Sequence, residues 1–153
     1  MGQQQLLLVI LVIIIVAIAS VTAVSTFGSA ADQANRDALT NDMVTLAGSA
    51  QDYYFRPETL SGGGRAFDGF VIEGKLLPVS GISSDGLYAE TENGTLEVIS
   101  AAGAFLSISG HPSSCDGYIP GTIDENGILS SPGTCSGEDQ ILASVESDVL
   151  IFE

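Results

Sequence analysis

Positive charge is nearly missing from this chain: Lys and Arg total 4 against 19 Asp and Glu, a net charge of −15 at pH 7. A nucleic-acid binder needs a cationic footprint, so that class is excluded. Docking onto anionic lipid head groups is excluded on the same ground. Histidine occurs once, as His111 followed by Pro112. It reads as a surface-turn residue; pairing with Cys115 or Asp116 is the catalytic alternative. No serine or cysteine nucleophile motif is present. Neither the P-loop pattern nor GxGxxG occurs, so Ser61-Gly62-Gly63-Gly64 reads as a flexible connector and not as a phosphate cradle. Together these absences predict a protein that is not an enzyme. Cysteine occurs twice, at Cys115 and Cys135, with no CxxC. Two cysteines that far apart are not expected to hold a metal; in an exported domain they predict one disulfide.

No charged residue of either sign precedes Asp32. What stands there is Leu6 to Phe27, LLLVILVIIIVAIASVTAVSTF, without proline or glycine. As a helix this run is roughly 33 Å long, about the thickness of a bilayer core. It is apolar on every side, so it must lie in lipid or be enclosed by other protein. Its only polar atoms are the hydroxyls of Ser20, Thr22, Ser25 and Thr26, which can bond back to helix carbonyls. A secretory signal would begin with Lys or Arg, and none stands ahead of this run. The stretch from Val21 to Gly28, rich in β-branched residues and hydroxyls, is expected to be the weakest part of the helix.

Beyond Gly28 small and apolar residues return at a spacing of three to four. Leu39, Met43, Leu46, Ala50 and Tyr53 form one stripe, which predicts an amphipathic helix half packed on a sheet. Arg56-Pro57 should end it. The domain plan is therefore 1–28 as apolar helix for a membrane or filament core, 29–56 as amphipathic helix, and 57–153 as a β-sheet head. In the head, Phe70-Val71-Ile72 is a short apolar strand candidate. Asn93-Gly94 signals a hairpin between 87–91 and 96–99, and Asn126-Gly127 signals another. Ala104 to Ile108, Ile141 to Val145 and Val149 to Phe152 supply further strands. Hairpin spacing predicts an antiparallel sheet. The fold class is α+β: a long N-terminal helix on a C-terminal antiparallel β-sheet with one disulfide.

The acids are dispersed among Val, Ile, Leu and Phe at strand spacing, so the head should fold. Such a surface suits concentrated salt, where self-repulsion is screened. Asp116, Asp124, Glu125, Glu138 and Asp139 flank the cysteine loop. A salted surface accounts for them, with a catalytic carboxylate pair or a calcium site as alternatives. No other cofactor is expected. Asn93-Gly94-Thr95 fits a glycosylation sequon and also a bare hairpin turn, the preferred reading; Ser80–Ser84 and Ser130–Thr134 are O-glycosylation candidates.

The apolar helix continuing into an amphipathic one, the glycine-rich connector, the antiparallel sheet and the C-terminal cysteine pair together resemble a type IV pilin or pseudopilin. The segments Asn35-Arg36-Asp37-Ala38-Leu39 and Ala50-Gln51-Asp52-Tyr53-Tyr54 are similar to helix stretches of that family. The family usually carries a short basic leader; none is seen ahead of Met1, so it has been removed or export takes another route. Where the family usually carries a glutamate, this chain has Gln3, Gln4 and Gln5. A neutral amide both donates and accepts, so these three can set subunit register in an apolar core; sitting among lipid heads is the alternative.

The resemblance implies a homopolymeric extracellular filament on the cell surface. The subunit would be held in the inner membrane first and then assembled by pilus-type machinery. The assembly core would be Gln3, Gln4, Gln5, Leu6, Leu7, Leu8, Val9, Ile10, Leu11, Val12, Ile13, Ile14, Ile15, Val16, Ile18 and Phe27. The alternatives are a single-span membrane-anchored binding protein and a minor pseudopilin of a secretion system.

Overall fold

A computed structural model describes the chain except residues 1, 75–76, 116, 136–138, 147–148 and 153. Asp116 and Glu138, named above, lie outside the described residues, as does Lys75, the one lysine of the sequence. The order of elements is α1 (Gly2–Phe55), a short 3-10 turn (Glu58–Leu60), β1 (Val79–Ser83), β2 (Tyr88–Thr91), β3 (Gly94–Ala102), β4 (Phe105–Pro112), β5 (Thr122–Ile123), β6 (Ile128–Ser131), β7 (Ile141–Val145) and β8 (Leu150–Phe152). The chain divides into two compact units, Met1–Ala34 and Asn35–Glu153.

In the first unit every described residue is helical and exposed. Val and Ile are only middling helix formers, but a helix satisfies all its backbone groups within itself. The hydroxyls bond back onto carbonyls of that ladder. Ser20 donates to Val16 O at 2.8 Å, Thr22 to Ala19 O at 3.0 Å and Ser25 to Thr22 O at 2.9 Å. Thr26 donates to Thr22 O at 2.9 Å and Ser29 to Thr26 O at 3.0 Å. The helix runs unbroken through Gly28.

In the second unit α1 buries one stripe, Leu39, Met43, Leu46, Ala47 and Ala50, with Tyr53 half-buried beside it. The stripe meets Phe67, Leu96, Leu106, Ile108 and Val145 from the loop and sheet. Close approach is set at Gly110 of β4, where a Cβ would lie 2.8 Å from Met43 Sδ and 3.1 Å from a Leu39 methyl. The helix ends before Pro57, as the sequence predicts.

Among the described residues eight strands form one sheet in the order β5-β6-β1-β2-β3-β4-β7-β8. Their pairings are antiparallel except one, which corrects the purely antiparallel expectation: β1 pairs parallel with β6, Ile82 opposite Ile128 and Ser83 opposite Leu129. Turn residues say which strands a hairpin joins, not which sheet edge the hairpin then meets. Here buried Leu129 and the fit of Ile123 over Gly81, 3.0 Å from where a Cβ would sit, fix the edge. Strand β1, with few consecutive apolar residues, gave no strand signal in the sequence.

Three further expectations are corrected. Phe70-Val71-Ile72 forms no strand; Phe70 and Ile72 are buried in a loop, where Ile72 N–H bonds Gly86 O at 2.8 Å. The glycine run is no free connector. Gly63 N–H donates to Tyr53 O at 2.8 Å, Gly64 N–H to Arg56 O at 3.0 Å and Arg65 N–H to Tyr54 O at 2.8 Å, so the run caps carbonyls at and just beyond the helix end. The hairpin at Asn93-Gly94 turns one residue earlier: Thr91 pairs with Gly94, so Glu92 and Asn93 make the turn and Gly94 already belongs to β3.

Cys115 and Cys135 form a disulfide with Cα atoms 6.1 Å apart and a sequence separation of 20. Closing a loop of that size contributes about 3 kcal/mol in the chain-entropy model.

Candidate functional site

The first unit presents the apolar surface. Leu6, Leu7, Leu8, Val9, Ile10, Leu11, Val12, Ile13, Ile14, Ile15, Val16, Ile18 and Phe27 are all exposed, from 48% at Val12 to 75% at Phe27. α1 is long and apolar enough to cross a membrane, and none of its most apolar window is buried. An exposed apolar surface this extensive marks contact with lipid or with other protein. Between Gly2 and Ser29 the polar side chains fall into two groups. The hydroxyls from Ser20 to Ser29 are satisfied within the helix. The side-chain amides of Gln3, Gln4 and Gln5 are exposed and have no hydrogen-bond partner among the described residues.

In the second unit the polar side chains hold the cysteine loop to the sheet. Glu90, only 7% exposed, is the centre of a knot that sequence spacing did not reveal. Its Oε1 accepts from Tyr118 O–H at 2.6 Å and Gly121 N–H at 3.3 Å; its Oε2 accepts from Thr95 O–H at 2.6 Å. Gly133 packs against the same knot: a Cβ there would lie 2.4 Å from Thr95 Oγ1. A carboxylate on a strand residue looks like surface charge in the sequence; only the returning loop covers it.

Burial of Tyr118, reinforced by its hydrogen bond to Glu90, pushes the phenol up to about 12. The folded state thus holds this proton more tightly than the unfolded chain, whose phenol titrates near 10. The stabilisation is complete below about pH 10 and is lost as pH rises toward 12. Denaturant midpoints measured between those values should fall with pH in the wild type and fall less in Tyr118→Phe.

His111 does not face solvent as a free turn residue. Cys135 N–H donates to its Nδ1 at 3.4 Å, and its Nε2 lies 3.6 Å from Glu97 Oε2 and 3.4 Å from Ser109 Oγ. The ring therefore braces the disulfide loop. Of the loop carboxylates, Asp124 Oδ1 accepts from Asn126 N–H at 2.9 Å and Ile128 N–H at 2.8 Å, forming the β5–β6 turn. Asp139 pairs with Arg36, and Glu125 is exposed. Among the described residues no group of three His, Cys, Asp or Glu side chains is placed to hold a metal ion. In the Asn93-Gly94-Thr95 sequon, Asn93 Nδ2 donates to Asp42 Oδ2 at 2.9 Å and Thr95 is fully buried, so both polar side chains serve the fold.

Comparison with protein-family models, curated proteins and solved structures finds no match for this chain.

Proposed function

We propose that this chain is a structural subunit of an extracellular helical filament, built by bundling the apolar helices of many copies. The observation that carries the reading is the run from Leu6 to Phe27 in the first unit: uncharged, apolar on every face and exposed throughout. Such a surface needs an apolar environment, and a bundle of copies supplies one. A long apolar N-terminal helix, a C-terminal sheet and a disulfide are compatible with a type IV pilin-like architecture. Internally bonded hydroxyls let the helix rest in lipid before assembly, without broken hydrogen bonds. The amides of Gln3 to Gln5, without a partner among the described residues, are then available for hydrogen bonds between neighbouring helices.

The test is electron microscopy of the purified intact protein after detergent removal. Filaments of this one chain are expected; a dispersed monomer would overturn the reading. The charge of −15 per copy adds a second expectation. Repulsion between heads is screened within about 3 Å at 1 M salt, so filaments should melt at higher temperature in molar potassium chloride than at about 0.1 M.

A second reading, a membrane-anchored binding protein, draws on a groove of about 350 Å³ lined by Ser49, Asp52, Tyr53, Arg56, Phe70, Val71 and Glu73. Its Arg56 and Asp52 already pair with each other, and Tyr53 O–H donates to Asp68 O at 2.8 Å. The same micrographs separate the two readings, since an anchored receptor forms no filaments.

A further inference from the structure

Arg65 stands in the left-handed region, with φ at 77°. Glycine adopts that conformation freely and L side chains resist it. Three glycines immediately precede it, so the residue type tolerant of this geometry is abundant nearby while an arginine occupies the position. The backbone there is pinned, since Arg65 N–H bonds Tyr54 O at 2.8 Å. Backbone strain held in place by its surroundings is a pointer to function.

The side chain of Arg65 is exposed and has no ion pair or hydrogen bond among the described residues. The other two arginines do: Arg36 pairs with Asp139 and Arg56 with Asp52. Nearby Asp68 is engaged by Gly103 N–H at 3.0 Å. Close to this cation in the chain stand exposed Phe55 and Leu60. Exposed Phe105 follows the β3–β4 turn, which is held to the same loop by Phe67 N–H on Gly103 O at 2.7 Å.

The opposite end of the second unit is different in character. There the β2–β3 turn, Glu92 and Asn93, meets α1 through Asn93 and Asp42. Glu92 is exposed, and its carboxylate has no partner among the described residues. Strand β3 runs from this turn to the Gly103 turn, roughly 30 Å for a strand of its length. The two turns are therefore opposite poles of the head.

We propose that the Arg65 pole of one head docks on the Glu92 pole of a second copy, an arginine–carboxylate contact flanked by Phe55, Leu60 and Phe105. This rests on the filament reading. The occupant follows from charge: with 19 acids against 4 bases, copies repel over most of their surface, and an exposed arginine with no partner among the described residues is where approach gains. The contact joins two different surfaces, so it is heterologous and propagates as an open helix instead of closing a dimer.

The intact protein has no free cysteine, which allows a direct test. Arg65→Cys combined with Glu92→Cys should give a ladder of covalent multimers on a non-reducing gel of oxidised filaments, and either single variant should not. Separately, Arg65→Glu and Glu92→Arg should each raise the concentration needed for assembly about tenfold. The combined charge reversal should restore it. If wild-type filaments form but no ladder appears and the reversal restores nothing, the docking is overturned. If wild-type protein forms no filaments, the filament reading fails first, and the docking with it. Should the cysteine variants fail to assemble, the charge reversal alone decides.

Discussion

Ile14→Asp is expected to abolish filament formation while leaving the head folded. Ile14 lies in the middle of the apolar run and is exposed in the single chain. In a bundle it would be enclosed by neighbouring helices, and no basic residue precedes Arg36 to pair with a carboxylate there. Burying that charge unpaired costs several kcal/mol in each copy, and a filament repeats the cost at every subunit. The gain it opposes is itself large. Enclosing roughly 1,500–2,000 Å² of apolar surface at about 25 cal/mol per Å² grosses tens of kcal/mol measured from water, an upper bound when the starting state is a bilayer. An aspartate can also leave the bundle by staying monomeric, so the expected outcome is loss of assembly and not of the fold. The variant should show no filaments by electron microscopy, yet keep the Cys115–Cys135 disulfide and the wild-type near-ultraviolet circular dichroism of the head. Normal filaments from Ile14→Asp would mean that this face lies outside the bundle.

Gly94→Val should be the most damaging single change in the head. Gly94 opens β3 opposite Pro112 of β4, with φ at 147°. A Cβ there would lie 2.1 Å from His111 O and 3.0 Å from Pro112 Cα. Both are backbone atoms, so no side chain can swing aside; the β3–β4 pairing must open at that end. Overpacking and the disfavoured backbone conformation together should cost roughly 2–5 kcal/mol. Gly103→Ala is the matched control. Its φ of 56° is also left-handed, but nothing lies within 4 Å of the added Cβ. It should lose only about 1–2 kcal/mol. Urea unfolding of the intact protein in mild detergent measures both. Similar losses for the two variants would mean that strain alone, and not the close approach of β4, sets the requirement for glycine at 94.

The composition of residues 6–27 by itself determined an apolar helix without a polar face, because no arrangement of those side chains can offer water a charged side. The stripe Leu39, Met43, Leu46, Ala50 was equally legible, since helical periodicity is a local property and Pro57 marks its end locally as well. The sheet class followed from strand-length apolar runs and turn residues. The remainder depended on contacts between residues far apart in sequence. Turn chemistry could not say that the β5–β6 hairpin returns to β1 and pairs with it in parallel, because edge choice depends on how Leu129 and Ile123 pack. Nor could it place the β2–β3 turn to the residue, since close packing against His111 moved Gly94 out of the turn and into the strand. A run of glycines reads as slack in a sequence; here it is the cap of α1, because helix carbonyls happened to be within its reach. Glu90 and Arg65 show the limit most plainly. In the sequence both are single charges among many. Tertiary structure buries one under Tyr118 and leaves the other strained and without a partner among the described residues, and whether a charge is covered or partnered is settled only when distant segments meet.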